Sequence, residues 1–234
     1  MISSFVLLCA LYVADPILFF DDFNDKELPG WRSDGHIGVK DGKLLIGNNA
    51  DLLIEVRDAL RWEDYTTTLR FRFLVAERAS GFYIDVRTSL GPFDAWEAQS
   101  VNVSAGDGDI TVYTIRPKNL AVDPLIFRGK AKQIFELGRW YNLAIEILDN
   151  NFTIFLDNRE LIAFTDRDTL PGTVGLATGP VLPRPNGESS GRIRVEIDMI
   201  RVAEETVERL SVESGKRLIT TTWAAVKDGK VSRQ

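Results

Sequence analysis

Tyr83, Asp85 and Arg87 recur at every second residue, and Glu97 and Gln99 do the same further on, just after Trp96. In an extended chain that spacing puts each set on one face of a strand. Tyr83, Asp85 and Arg87 then stand opposite Phe82, Ile84 and Val86, on the polar side. An aromatic ring beside carboxylate, amide and guanidinium groups is what recognition of a sugar requires. The ring stacks on the apolar face of a pyranose, and the planar polar groups bridge its hydroxyls. The plainer alternative is an exposed sheet on which Arg87 pairs with Asp85 or Glu97. Trp96 follows Gly91-Pro92, where a loop meets a strand and ligands commonly sit. Arg87 and Trp96 are therefore expected to serve a ligand and to contribute little to folding.

Other chemistries drop out on composition. Cys9 is the only cysteine and His36 the only histidine, so intrachain disulfides, Cys–His metal sites and zinc centres are excluded. A serine-type triad would have to use His36, which sits among Asp34, Gly35 and Gly38 in a turn-like stretch. The net charge of −6 and the scattered basic residues argue against a general nucleic-acid binder.

The elements that must position these residues are strands. From Tyr141 to Ile147 apolar residues alternate with Asn142, Ala144 and Glu146; Phe152, Ile154 and Leu156 repeat the pattern after Asp149-Asn150-Asn151. Such alternation, punctuated by Asn and Asp, marks antiparallel strands with one buried face. Val39 to Ile46 reads as a hairpin turning on Asp41-Gly42. Thr66–Val75 puts Leu69, Phe71 and Phe73 inward and Arg70 and Arg72 outward. Trp96–Ser104 and Asp109–Arg116 pair around a glycine-containing turn. Arg192–Val202 is a last long strand with Ile193, Val195, Ile197 and Met199 inward. Asn119–Lys132 reads as a loop, and Glu204–Glu213 as one short helix. Ten to twelve such strands in 234 residues predict an all-β fold of two packed antiparallel sheets, a jelly-roll sandwich. Trp31, Trp62 and Trp140 are expected to pack in the core or at its edge.

Residues 1–17 read as an apolar leader, 18–203 as the sandwich and 204–234 as a C-terminal extension. Phe5–Ala14 is an unbroken apolar run that suits a signal-peptide core and is short for a membrane span. No further segment could span a membrane. The expected location is extracytoplasmic, either secreted or at the cell surface.

The segments FFDDFND, DGKLLI, SGFYIDVRTS, GRWYNLAIEILDNNFTIFLDNRELIAFTD, GTVGLATG and RVEIDMIRV occur in this order between Leu18 and Val202. Together they resemble bacterial concanavalin A-like jelly-roll domains, more narrowly the laminin-G-like and 3-keto-disaccharide hydrolase-like group of exported proteins. The resemblance implies a jelly roll, an extracytoplasmic location and a carbohydrate-related role. Glu196-Ile197-Asp198 is similar to the E-x-D-x-E strand of laminarinase-like glycosidases, but Ile200 stands at the third position. Retaining hydrolysis needs two carboxylates about 5 Å apart, so the second one is missing. Jelly-roll topology would set Asp198 near Asp21 and Asp22, where a structural Ca²⁺ could be shared; a solvated acid pair is the alternative. The expected function is a non-catalytic glycan-binding module. A hydrolase of 3-keto-glycosides and a structural or adhesive surface domain are the rivals.

Overall fold

The computed structural model describes residues 16–90, 96–115, 125–167, 169–180 and 191–204. The expected C-terminal helix lies outside them apart from Glu204, which ends the last strand. Fifteen strands and one 3₁₀ turn, Ala59–Arg61, make up the described residues. They form two antiparallel sheets, as the alternation required.

The first sheet has eight strands. Its main path runs β13 (Arg159–Thr165), β12 (Asn151–Leu156), β11 (Tyr141–Leu148), β6 (Tyr65–Ala76), β15 (Ile193–Glu204), β4 (Lys43–Ile46) and β3 (Ile37–Lys40), with β1 (Ile17–Asp21) also paired to β15. The second sheet has seven, in the order β10 (Leu125–Lys132), β9 (Asp109–Ile115), β8 (Trp96–Ser104), β7 (Ser80–Leu90), β14 (Thr173–Pro180), β5 (Ala50–Ile54) and β2 (Trp31–Asp34). The stretch expected as a loop up to Lys132 therefore ends in a strand. Its pairing with β9 is a long-range contact that leaves little local trace. Lys130 and Lys132 on this edge strand suit a position where unpaired edges must be kept from further pairing.

The core lies between the sheets. Leu69, Phe71 and Phe73 of β6 meet Phe82, Ile84 and Val86 of β7, all fully buried. Phe71 reaches across to Phe82 with ring centroids 5.4 Å apart and also packs on Phe73 at 5.5 Å. Phe73, Phe135 and Tyr141 extend this into a continuous aromatic chain. Trp62 is buried, and Trp31 packs edge-on against Phe19 at 5.3 Å. Trp140 departs from the expectation, since it is half-exposed among the side chains of Lys43, Arg70 and Arg72.

Tight turns close the hairpins. Asp41-Gly42, Asp149-Asn150 and Asp157-Asn158 all carry positive φ at both central residues. That is the geometry matching the twist of paired strands, and Asn, Asp and Gly tolerate it best. Alternation is broken where strands bulge. Between Ile197 and Met199 the register of β15 against β6 shifts, so Ile200 and Val202 join the core cluster in place of Met199.

Candidate functional site

The outer face of the seven-stranded sheet is built in cross-strand rows. In one row Asp85 of β7 faces Ser100 of β8, which faces Tyr113 of β9, which faces Phe127 of β10. In the next, Tyr83 faces Asn102, and Asn102 faces Thr111. On the other side of β7, strand β14 offers only Gly175 opposite Asp85 and Ala177 opposite Tyr83. Beyond it stands Asp51 of β5, opposite Ala177. A Cβ added to Gly175 would lie 3.7 Å from that of Asp85 and 3.4 Å from Leu53 Cδ1, so the Leu53 side chain of β5 closes over the glycine beside the carboxylate.

A sheet face turned from the core is ordinarily solvated, yet this one is deeply shielded. Asp85 is 7% exposed, and Ser100 and Asn102 are 1% each. Their polar atoms are unmet: among the described residues Asp85 Oδ1, Ser100 Oγ and both side-chain atoms of Asn102 make no hydrogen bond. The Asn102 amide fills the space over Gly81, whose added Cβ would come within 2.6 Å of Oδ1. Buried groups left unmet are costly and rare, and four such atoms in adjoining positions form one patch.

Burial pushes the Asp85 carboxyl up to about 7. The Ser100 hydroxyl works against this although it closes no hydrogen bond of normal geometry, and the charge of Asp51 adds to it. Asp51 is itself raised, by burial first and then by Asp34. Asp34 is its partner on β2. The arrangement can hold a polar ligand and exchange a proton with it near neutral pH.

The residues expected from sequence divide. Tyr83 and Asp85 share this face. Arg87 does not: the register of β7 against β8 shifts between Val86 and Ser89, and Arg87 takes φ of 49°. Its side chain turns inward and is 4% exposed. There its Nε and Nη2 donate to the Glu63 carbonyl at 3.2 and 3.0 Å, and Nη1 to Asn150 Oδ1 at 2.8 Å. The guanidinium also lies 5.4 Å from the centre of the Phe152 ring. Its own N–H donates to the Tyr65 hydroxyl at 2.7 Å, and that hydroxyl lies 3.3 Å from the Gly172 carbonyl. Arg87 thus ties the two sheets together.

Gln99 also faces inward. Its Nε2 donates to Asp166 and Thr169 at 2.9 and 2.8 Å, while Arg128 holds the same Asp166 carboxylate at 2.6 Å. Glu97 lies opposite Ser89 and is half-buried. Trp96 begins β8; its side chain is outside the described residues. Ser100, Asn102, Asp51 and Tyr113 are the members of the face that spacing alone did not single out. Their signal was alternation against Val101, Val103, Leu52 and Val112.

Glu196 and Asp198 lie on the outer face of the other sheet. Arg72 pairs with Glu196, and Arg70 and Lys43 hold Asp198 at 2.7 and 3.1 Å. β1 does lie beside β15, with Asp21 opposite Ile200. However, Asp21 accepts from the Phe23 N–H at 2.7 Å and the Trp31 indole at 2.8 Å, and Asp22 accepts from Asn24. Among the described residues no group of three or more His, Cys, Asp or Glu side chains gathers where a metal could be held. The Asp21 and Asp22 carboxylates at this corner are engaged with protein groups.

The described residues form a two-sheet jelly roll with a polar outer face on each sheet. A family model for the 3-keto-alpha-glucoside-1,2-lyase-like domain matches residues 19–195, and the chain belongs to that family. No curated protein matches it. Among solved structures it is similar to an endo-acting O-glycanase of the human gut microbiota (TM-score 0.60, 12% identity, 81% of this chain and 100% of that one). It is also similar to the Bacillus licheniformis β-glucanase (0.60, 10%, 81% and 99%). A β-1,3-1,4-glucanase (lichenase) from a mouse hindgut metagenome is a third (0.59, 13%, 80% and 99%). At these identities the likeness establishes the fold. Among the described residues no helix is long and apolar enough to cross a membrane.

Two substitutions separate the roles. Asp85 binds its proton more tightly folded than unfolded, so its contribution to stability falls as pH rises from about 4 to about 7 and its full cost stands above that. Asp85→Asn should therefore melt close to the parent at pH 4 and higher than it at pH 8, by roughly 2–4 kcal/mol. A difference independent of pH would show that the carboxyl is not held protonated. Arg87→Ala should lose roughly 2–4 kcal/mol in denaturant titration, because the partly buried Glu63 carbonyl and Asn150 Oδ1 lose their donor and the buried side chain leaves a void against Phe152. A loss under ~0.5 kcal/mol, as for an ordinary surface site, would mean the inward tie does not form.

Proposed function

We propose that this domain binds a glycoside on the outer face of its seven-stranded sheet. The observation that carries the reading is the patch of buried, unmet polar atoms on Asp85, Ser100 and Asn102. A sugar presents several hydroxyls in fixed directions and would satisfy carboxyl, hydroxyl and amide together. The family and the folds it resembles are carbohydrate-related, which agrees with this choice of ligand.

A second reading, catalysis on 3-keto-α-glucosides, is favoured by the carboxyl of Asp85 near 7 with Asp51 across β14. The two strands are roughly 10 Å apart. A ketone acidifies the proton on the adjoining carbon. One carboxylate removing that proton, and one carboxylic acid giving a proton to the departing glycosidic oxygen, would break the bond from the anomeric carbon to that oxygen and leave an unsaturated sugar. Asp51 as base and Asp85 as acid fit these parts. The reading also takes the domain to work outside the cytoplasm, on the apolar run Phe5–Ala14.

Calorimetric titration with methyl 3-keto-α-glucoside and with methyl α-glucoside tests the first reading. Asn102→Ala should weaken binding by about tenfold and cost stability only through the packing of its amide over Gly81, because that amide has no hydrogen bond to lose among the described residues. Unchanged affinity in Asn102→Ala would remove this face as the site. Release of methanol from the keto-glucoside by the parent and not by Asp85→Asn would support the second. N-terminal sequencing of the native protein checks the export reading, which an intact Met1 on a cytoplasmic species would sink.

A further inference from the structure

We propose that the same face carries a second, apolar subsite made by Tyr113 and Phe127, and that it takes an aromatic aglycone. This rests on the glycoside-binding reading of the Asp85–Asn102 patch. Phe127 is 58% exposed on β10, an unusual place for a phenylalanine to remain. Its ring packs edge-on to Tyr113 at 6.0 Å, and the two are direct cross-strand partners. They continue the row that begins at Asp85 and Ser100.

Position sets the size of the ligand. Tyr113 stands two strands from Asp85 and Phe127 three, roughly 10 and 14 Å by strand spacing. A single pyranose, about one strand spacing across, cannot touch both ends. A ligand that fills the patch and reaches the rings must carry a second group beyond its sugar.

The surroundings set the chemistry of that group. The polar side chains bordering the pair are engaged with one another. Lys130 Nζ lies 2.6 Å from Asp109 Oδ2 and Lys132 Nζ 3.5 Å from it, while Thr111 Oγ1 lies 3.5 Å from Asp109 Oδ1. Hydrogen-bonding capacity is therefore unmet around Asp85 and Asn102 and taken up around Tyr113 and Phe127. Beyond the Tyr113 hydroxyl, a second sugar ring would bring its own hydroxyls to a platform that offers them little. A flat aromatic ring needs only the faces and edges that these two side chains present. The face is thus polar at β7–β8 and apolar at β9–β10, matching a sugar joined to an aryl group.

The test compares methyl, phenyl and glucosyl 3-keto-α-glucosides, with the unoxidised series alongside, by calorimetric titration of the full chain. The phenyl glycoside should bind about tenfold more tightly than the methyl one. Phe127→Ala should abolish that preference, leaving affinity for the methyl glycoside and the melting temperature as they were. Phe127→Tyr should keep it. Equal affinities for phenyl and methyl glycosides, or a preference that survives Phe127→Ala, would overturn the subsite while the sugar site stands. A gain from the glucosyl group as large as that from phenyl would overturn the aromatic assignment. Failure of every methyl glycoside to bind, in either series, would overturn the glycoside reading and this inference together.

Discussion

Contact between Phe71 and Phe82 across the gap between the sheets is the constraint on which the rest depends. The side-chain period of a strand is two, so fixing one residue inward fixes the face of its neighbours until a bulge intervenes. With Phe82, Ile84 and Val86 committed to the core, Tyr83 and Asp85 must stand outside. With Phe71 committed, Arg70 and Arg72 must stand on the far side of the other sheet. A slip of one residue in β7 would bury a carboxylate against a wall of phenylalanines, which no ordinary gain could offset. The aromatic core thus aims the polar face as well as holding the sandwich.

That face is held at a cost. A carboxyl buried enough to titrate near 7, beside a hydroxyl and an amide without partners, destabilises the empty domain. Such a pattern is common where a protein keeps groups ready for something other than its own interior. The bulge that follows Asp85 compensates nearby. It turns Arg87 inward to join β7 to the Glu63 carbonyl and Asn150, and through its N–H to Tyr65. A cation two residues from Asp85 is thereby spent on the scaffold instead of neutralising the carboxylate.

Much of the fold is legible in the sequence. Alternation located most strands, and Asp-Gly and Asp-Asn pairs located turns whose positive φ values demand such residues. Tyr83 and Asp85 were legible because nothing interrupts alternation from Phe82 to Val86. Arg87 was not, since a bulge depends on pairing with β8 and β14 and leaves no local signature. β10 was hidden for a related reason: its partner β9 decides that it is a strand. Asn102 and Ser100 read as ordinary outward polar residues, and only their depth sets them apart.

Comparison of the two outer faces shows why residue type alone could not find the site. Glu196 and Asp198 carry the same chemistry as Asp51 and Asp85 and even evoke a glycosidase strand. Their neighbours on β6 and β4 are Arg70, Arg72 and Lys43, which pair with them and keep them as structural anions. Across from Asp85 the neighbours are Gly175 and Ser100, which supply neither charge nor bulk. One pair of acids is paired with cations and the other has no cation beside it, with the difference written in residues far away in sequence. A carboxyl keeps its proton toward neutral pH when it is buried and the opposite strand brings no counter-charge, and β14, with Gly175 at that position, brings none.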